Sequence, residues 1–81
     1  MDAHQKTILS KLLIENCTGK RHITEPNLLK GRPRHLHGEL KDALKQLVKQ
    51  NYVIKHSTEH DTAYNLNKNR LEEIKALLKT S

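Results

Sequence analysis

The sequence predicts an α+β fold, mostly helical: a three-helix core, a two-stranded β-hairpin and a C-terminal helix, all in one domain spanning residues 1–81. Three observations carry this expectation. Apolar residues recur at helical spacing along most of the chain, most clearly between His35 and Gln50. After Asn51 the pattern changes to two strand-like runs on either side of a polar turn. A chain of 81 residues buries only a modest core, so each element must be locally well specified. With no Phe and no Trp, that core has to come from Leu, Ile, Val and Ala.

Residues 3–17 read as the first helix. Ile8, Leu9, Leu12 and Leu13 form a broad apolar arc, with Lys6, Ser10 and Lys11 outside it. Thr18-Gly19-Lys20 is the expected stop, Gly19 being suited to the left-handed residue beyond a helix end. Residues 22–24 read as a short extended stretch. A short helix over 25–31 follows, with Thr24 as N-cap, Pro26 in the first turn, Leu28 and Leu29 turned to the core, and Gly31 at its end. Pro33 disfavours the helical region for Arg32, so Arg32-Pro33-Arg34 reads as a connector.

The third helix, residues 35–50, is the most regular. At about 100° per residue, Leu36, Leu40, Ala43, Leu44, Leu47 and Val48 share one face. His35, Gly38, Lys41, Asp42, Lys45 and Lys49 occupy the other. Residues 52–66 then read as a hairpin, Tyr52–His56 and Thr62–Leu66 flanking the turn-forming 57–61. Asn67 is placed to cap a last helix over 68–79, striped by Leu71, Ile74, Leu77 and Leu78.

Charge is localised. The net is +6, with six Lys/Arg against two Asp/Glu between residues 30 and 50, whereas the segments on either side are each near neutral. A concentrated basic surface attracts polyanions, because neutralising phosphates releases condensed counterions. No apolar run approaches the ~20 residues that span a bilayer, and the N-terminal residues lack the pattern of a signal peptide. A single cysteine, Cys17, excludes an intramolecular disulfide and suits a reducing compartment. The expectation is an intracellular protein, cytoplasmic or nucleoid-associated, without membrane contact.

The order helix, short strand, helix, connector, amphipathic helix, hairpin, helix resembles that of winged-helix (winged helix-turn-helix) DNA-binding domains. Residues Leu40-Lys41-Asp42-Ala43-Leu44-Lys45-Gln46-Leu47-Val48-Lys49-Gln50-Asn51-Tyr52-Val53-Ile54 are similar to that family's passage from recognition helix into wing. Asn51 stands where Gly is common, and Asn also tolerates the left-handed region. Ala63-Tyr64-Asn65-Leu66 resembles the second wing strand. The link from Gly31 to Arg34 departs from the family in being longer and more basic than a minimal turn. The resemblance implies a recognition helix entering the major groove of double-stranded DNA with its N-terminal half, a wing on backbone or minor groove, and a role in transcription regulation.

The residues themselves support the same assignment. Lys41 and Lys45 form a row able to meet phosphates or guanine edges, and Asp42 could accept from a cytosine amino group or stand as a solvated ion. Gly38 costs about 1 kcal/mol inside a helix, little if it lies near the helix start; close approach of a ligand would be a reason to keep it. Lys30-Gly31-Arg32-Pro33-Arg34 resembles an AT-hook core, in which arginines lie along a narrow minor groove. Its place between two helices favours phosphate clamping by Arg32 and Arg34 instead, the other alternative being an interhelical loop with solvated arginines; Lys30 joins them in the expected DNA-binding set. His35, at the start of the third helix, and Thr58 and His60, at the wing tip, complete the expected DNA-binding set.

No metal or cofactor is expected, since His35 and His37 diverge on a helix and His56 and His60 lack further donors. Nothing points to an enzyme: no Gly-rich loop follows a strand, and no nucleophile elbow or paired carboxylates occur. Two roles are open for the last helix, a homodimer contact or closure of the core on the first helix. A protein-interaction winged helix within a larger complex, or a structured-RNA binder, are the alternatives to DNA binding. The basic outer face of the third helix favours nucleic acid.

Overall fold

A computed structural model describes residues 1–57 and 59–79. Helix α1 spans Ala3–Ile14 and opens on a capping box. The Asp2 carboxylate accepts from the Gln5 amide at 2.8 Å, and the Gln5 side chain accepts from the Asp2 amide at 3.2 Å. The helix ends three residues before the position predicted. Asn16 takes the left-handed conformation (φ 55°), so its N–H donates to the Leu13 carbonyl at 3.1 Å and the Cys17 N–H to that of Leu12 at 2.9 Å. Gly19, also at positive φ (63°), shapes the loop that follows rather than the helix end.

Strand β1 (Ile23–Thr24) leads into α2 (Glu25–Leu29). Thr24 occupies the N-cap position without a side-chain hydrogen bond, and Pro26 lies in the first turn. The helix closes at Leu29, before the expected 31, because Lys30 is extended and Gly31 turns at φ 83°. A 3-10 turn over Arg34–Leu36 precedes α3 (His37–Lys49). The residues predicted to open this helix therefore belong to a tighter turn imposed by Pro33. Asn51 (φ 66°) ends α3 as Asn16 ends α1, with Asn51 N–H bonded to Val48 and Tyr52 N–H to Leu47.

Strands β2 (Val53–Ser57) and β3 (Thr62–Leu66) form the hairpin. The short strand expected at 22–24 is present as β1 and joins the two-stranded hairpin in a three-stranded sheet, a pairing not predicted: β1 pairs antiparallel with β3 through Ile23–Tyr64 and Thr24–Ala63. Strand β3 is thus central, with β2 on its other side from Val53–Leu66 to Ser57–Thr62. Its end also meets the first loop, where the Leu66 amide donates to the Cys17 carbonyl at 2.7 Å. Asn67 caps a 3-10 turn (Lys68–Arg70) through the Asn69 amide, and α4 (Leu71–Lys79) follows.

The result is an α+β domain of four helices and a three-stranded antiparallel sheet. Ile8, Leu9 and Leu12 of α1, Leu28 and Leu29 of α2, and Leu40, Ala43, Leu44 and Leu47 of α3 meet around one core. Val53, Leu66 and Tyr64 join it from the sheet, and Ile74 from α4, which packs on α1. Arg70 fastens α4 to the end of α3: its guanidinium donates to the Gln50 carbonyl at 2.9 Å, pairs with Glu73 at 2.8 Å and lies 4.3 Å over the Tyr52 ring. Among the described residues no helix is long and apolar enough to cross a membrane.

Candidate nucleic-acid interface

Burial of Leu40, Ala43, Leu44 and Leu47 fixes the rotation of α3 about its axis. Gly38, Lys41, Asp42 and Lys45 therefore face outward, and all four are exposed. The sheet stands beside this face. Lys55 and Tyr64 are cross-strand partners, two residues along from the core pair Val53 and Leu66, so they project on the same side of the sheet. With Glu25, Val48 and Thr62 these residues line an open groove of about 470 Å³.

A second groove, of about 500 Å³, adjoins the first and shares Glu25 and Lys41 with it. Lys30, Gly31, Arg32, Arg34 and His37 lie along it. The structure thus brings seven of the sequence-predicted residues to two grooves with shared walls: Lys30, Arg32, Arg34, Gly38, Lys41, Asp42 and Lys45. His35, on the 3-10 turn, and His60, near the hairpin tip, are exposed but line neither groove. Thr58 lies outside the described residues.

Among the described residues Lys30, Arg32, Arg34, Lys41, Lys45 and Lys55 make no ion pair or side-chain hydrogen bond within the chain. Lys6, Lys20, Lys49, Lys68 and Lys79 are likewise without an ion pair among the described residues, so it is their grouping that sets the groove cations apart. Lys11, Arg70 and Lys75, by contrast, pair with Glu15, Glu73 and Glu72. Glu39, in the first turn of α3, is drawn away to His4 of α1 at 2.9 Å. Two carboxylates, Glu25 and Asp42, remain in the groove.

The connector is more constrained than its composition suggests. The His37 ring donates from Nε2 to the Arg32 carbonyl at 3.0 Å, and the Arg32 amide donates to the Leu29 carbonyl at 3.1 Å. With Gly31 at positive φ, Lys30–Arg34 is a latched turn rather than the continuous extended run of an AT-hook. That places Arg32 and Arg34 at the groove mouth on a short, tied segment.

Lys55, Tyr64 and Glu25 are among the groove residues that the sequence does not single out. Lys55 was in principle legible from alternation with Val53, once Val53 is placed in the core. Tyr64 follows from the hairpin register. Nothing local marks Glu25. The Tyr64 hydroxyl donates to Glu25 Oε1 at 3.4 Å. Burial, then the Glu25 charge and this hydrogen bond, push the Tyr64 phenol above its usual range, so it stays a protonated donor.

Elsewhere, Cys17 is buried, and burial pushes its thiol up despite the lowering effect of Arg21. His56 does not face His60 as a pair. Its Nε2 donates to the buried Asn65 side chain at 3.0 Å, its ring lies 4.1 Å from that of His22, and Asn65 in turn donates to the Gly19 carbonyl at 2.7 Å. Among the described residues no three His, Cys, Asp or Glu side chains converge on one point as a metal-ligand set.

No family model matches the chain, and no curated protein or solved structure matches it. The site must be read from its own geometry.

Proposed function

We propose that this chain is a winged-helix module that binds double-stranded DNA and acts in transcription regulation. One observation carries the reading: six cations without ion pairs among the described residues line two adjoining grooves beside the outer face of α3. Cations that have no carboxylate to satisfy them are free to replace the counterions of a phosphate backbone. An α-helix fits the B-DNA major groove, and α3 carries Lys41 and Lys45 on the side away from its leucines. The element order of the winged helix and a hairpin flanking α3 agree with this docking.

Arg32 and Arg34 then hold the backbone at one end of the helix and Lys55 of β2 holds it at the other. Such contacts set register and orientation; they do not by themselves read sequence. With α4 committed to α1 through Ile74, a homodimer through α4 would rest on Leu77 and Leu78, which are half-buried. Light scattering at rising concentration measures this, and a constant 9.4 kDa removes the dimer from the proposal.

The direct test is charge reversal of Lys41 and Lys45 to Glu. Both side chains are exposed, so helical circular dichroism stays as in the parent while duplex binding in a low-salt shift assay is lost. Unchanged affinity would refute this placement of the interface.

A further inference from the structure

The groove beside α3 is not uniformly cationic, and its polarity is layered. Lys41, Lys45 and Lys55 are exposed and form the rim, together with Asp42. Tyr64 is 6% exposed and Glu25 half-buried, so these two form part of the floor. Glu25 has no ion pair with any of the surrounding lysines among the described residues. Among the described residues its side-chain hydrogen bond is a long one, from the Tyr64 hydroxyl to Oε1 at 3.4 Å, and the residue lines the groove.

A carboxylate at the centre of a phosphate-binding groove opposes the binding that its rim promotes. A ligand fits both layers only if it brings anionic groups to the rim and hydrogen-bond donors to the floor. In a DNA duplex the donors on the base edges in the major groove are the amino groups of cytosine and adenine. Guanine and thymine present only acceptors there, and an acceptor facing the carboxylate is repelled.

Resting on the DNA-binding reading above, we propose that Glu25, oriented by Tyr64, is a base-reading residue that accepts from a cytosine or adenine amino group while the lysines hold the flanking phosphates. Asp42 differs in being exposed on α3, with no partner among the described residues that fixes its carboxylate, so it contributes charge rather than a fixed acceptor. Glu25 is also the first residue of α2, where a negative charge suits the helix start. A solely structural role of that kind would leave base preference untouched.

The experiment is selection of bound sequences from a random DNA duplex pool, run in parallel with the parent chain and with Glu25→Gln and Tyr64→Phe. Glu25→Gln keeps an acceptor for Tyr64 and the shape of the side chain; Tyr64→Phe removes only the hydroxyl. The parent is expected to select cytosine or adenine at one position, by about tenfold over guanine and thymine, the discrimination of a single good base contact. Glu25→Gln, with an amide able to donate as well as accept, is expected to lose that preference at this position alone, and Tyr64→Phe to weaken it. The slope of log affinity against log salt stays as in the parent, because no phosphate contact is removed.

A parent that binds duplexes with the same preference as Glu25→Gln, or with none, overturns the base-reading role and leaves DNA binding standing. A parent that binds no DNA duplex overturns both. A change on Glu25→Gln seen only with an RNA duplex of matched sequence transfers the carboxylate to a ribose 2′-hydroxyl and also overturns the assignment to DNA bases.

Discussion

Salt dependence gives the sharpest measure of how many groove cations meet phosphates. Each neutralised phosphate contributes about 0.9 to the slope of log affinity against log salt. If all six groove cations engage, the slope is about −5.4, and raising salt from about 50 to about 200 mM weakens binding roughly two-thousandfold. Replacing Lys41, Lys45 and Lys55 together by alanine removes half of them. The slope then falls to about −2.7, and the same change in salt costs only about fortyfold. Among the described residues none of the three side chains has a hydrogen bond or ion pair, and all are exposed, so stability stays within about 0.5 kcal/mol of the parent. Fluorescence anisotropy of a labelled duplex, titrated across this salt range, reads the slope, and urea melts provide the control. A triple variant with the parent slope would refute the groove as the phosphate site. So would an equal loss on replacing Lys75 and Lys79 of α4, which line neither groove.

Other features yield their own tests. Arg70→Ala removes the charged donor to the Gln50 carbonyl and the cation over Tyr52; discounted for partial exposure, this costs about 1–2 kcal/mol in urea unfolding. Asn51→Ala forces a β-carbon into a left-handed position and lowers stability by about 1 kcal/mol, whereas Asn51→Gly, which tolerates that conformation, is nearly neutral. Cys17 and Tyr64 both hold their protons more tightly folded than unfolded, so the unfolded chain ionises first as pH rises. Stability is therefore retained below about pH 9 and declines above it, and Cys17→Ala flattens the early part of that decline in pH-dependent melts.

Much of the fold was legible because periodicity and punctuation agreed. The leucine stripe of α3, Pro33 before it and Asn51 after it define the helix to within about two residues. The end of α1 was harder. Gly19 is the conventional stop, but Asn16 reaches the left-handed region earlier, and only the Leu12 and Leu13 carbonyls reveal that it does so. Pairing of β1 with β3 joins residues about forty positions apart, and no local pattern encodes such a register. The site divided in the same way. Lys41, Lys45 and the connector arginines declared themselves by charge and helical face, while Glu25 and Tyr64 meet only through tertiary packing. His35 was read from a helix wheel that extends into what is a 3-10 turn, and His60 sits near the hairpin tip as expected; both are exposed but line neither groove.

The central position of β3 has a consequence for how the chain acquires its structure during synthesis. Strand β1, strand β2 and the Cys17 carbonyl all take their partners from Thr62–Leu66, the last strand to leave the ribosome. Before that pentapeptide emerges, the earlier helices can coil and collapse, but β1 has no ladder to join. Folding is then gated by the arrival of a single late segment, with long-range pairing following local helix formation. Nascent chains halted before Thr62 should remain open to protease through β1, and chains extended past Lys79, with β3 paired and Ile74 of α4 in the core, should be resistant.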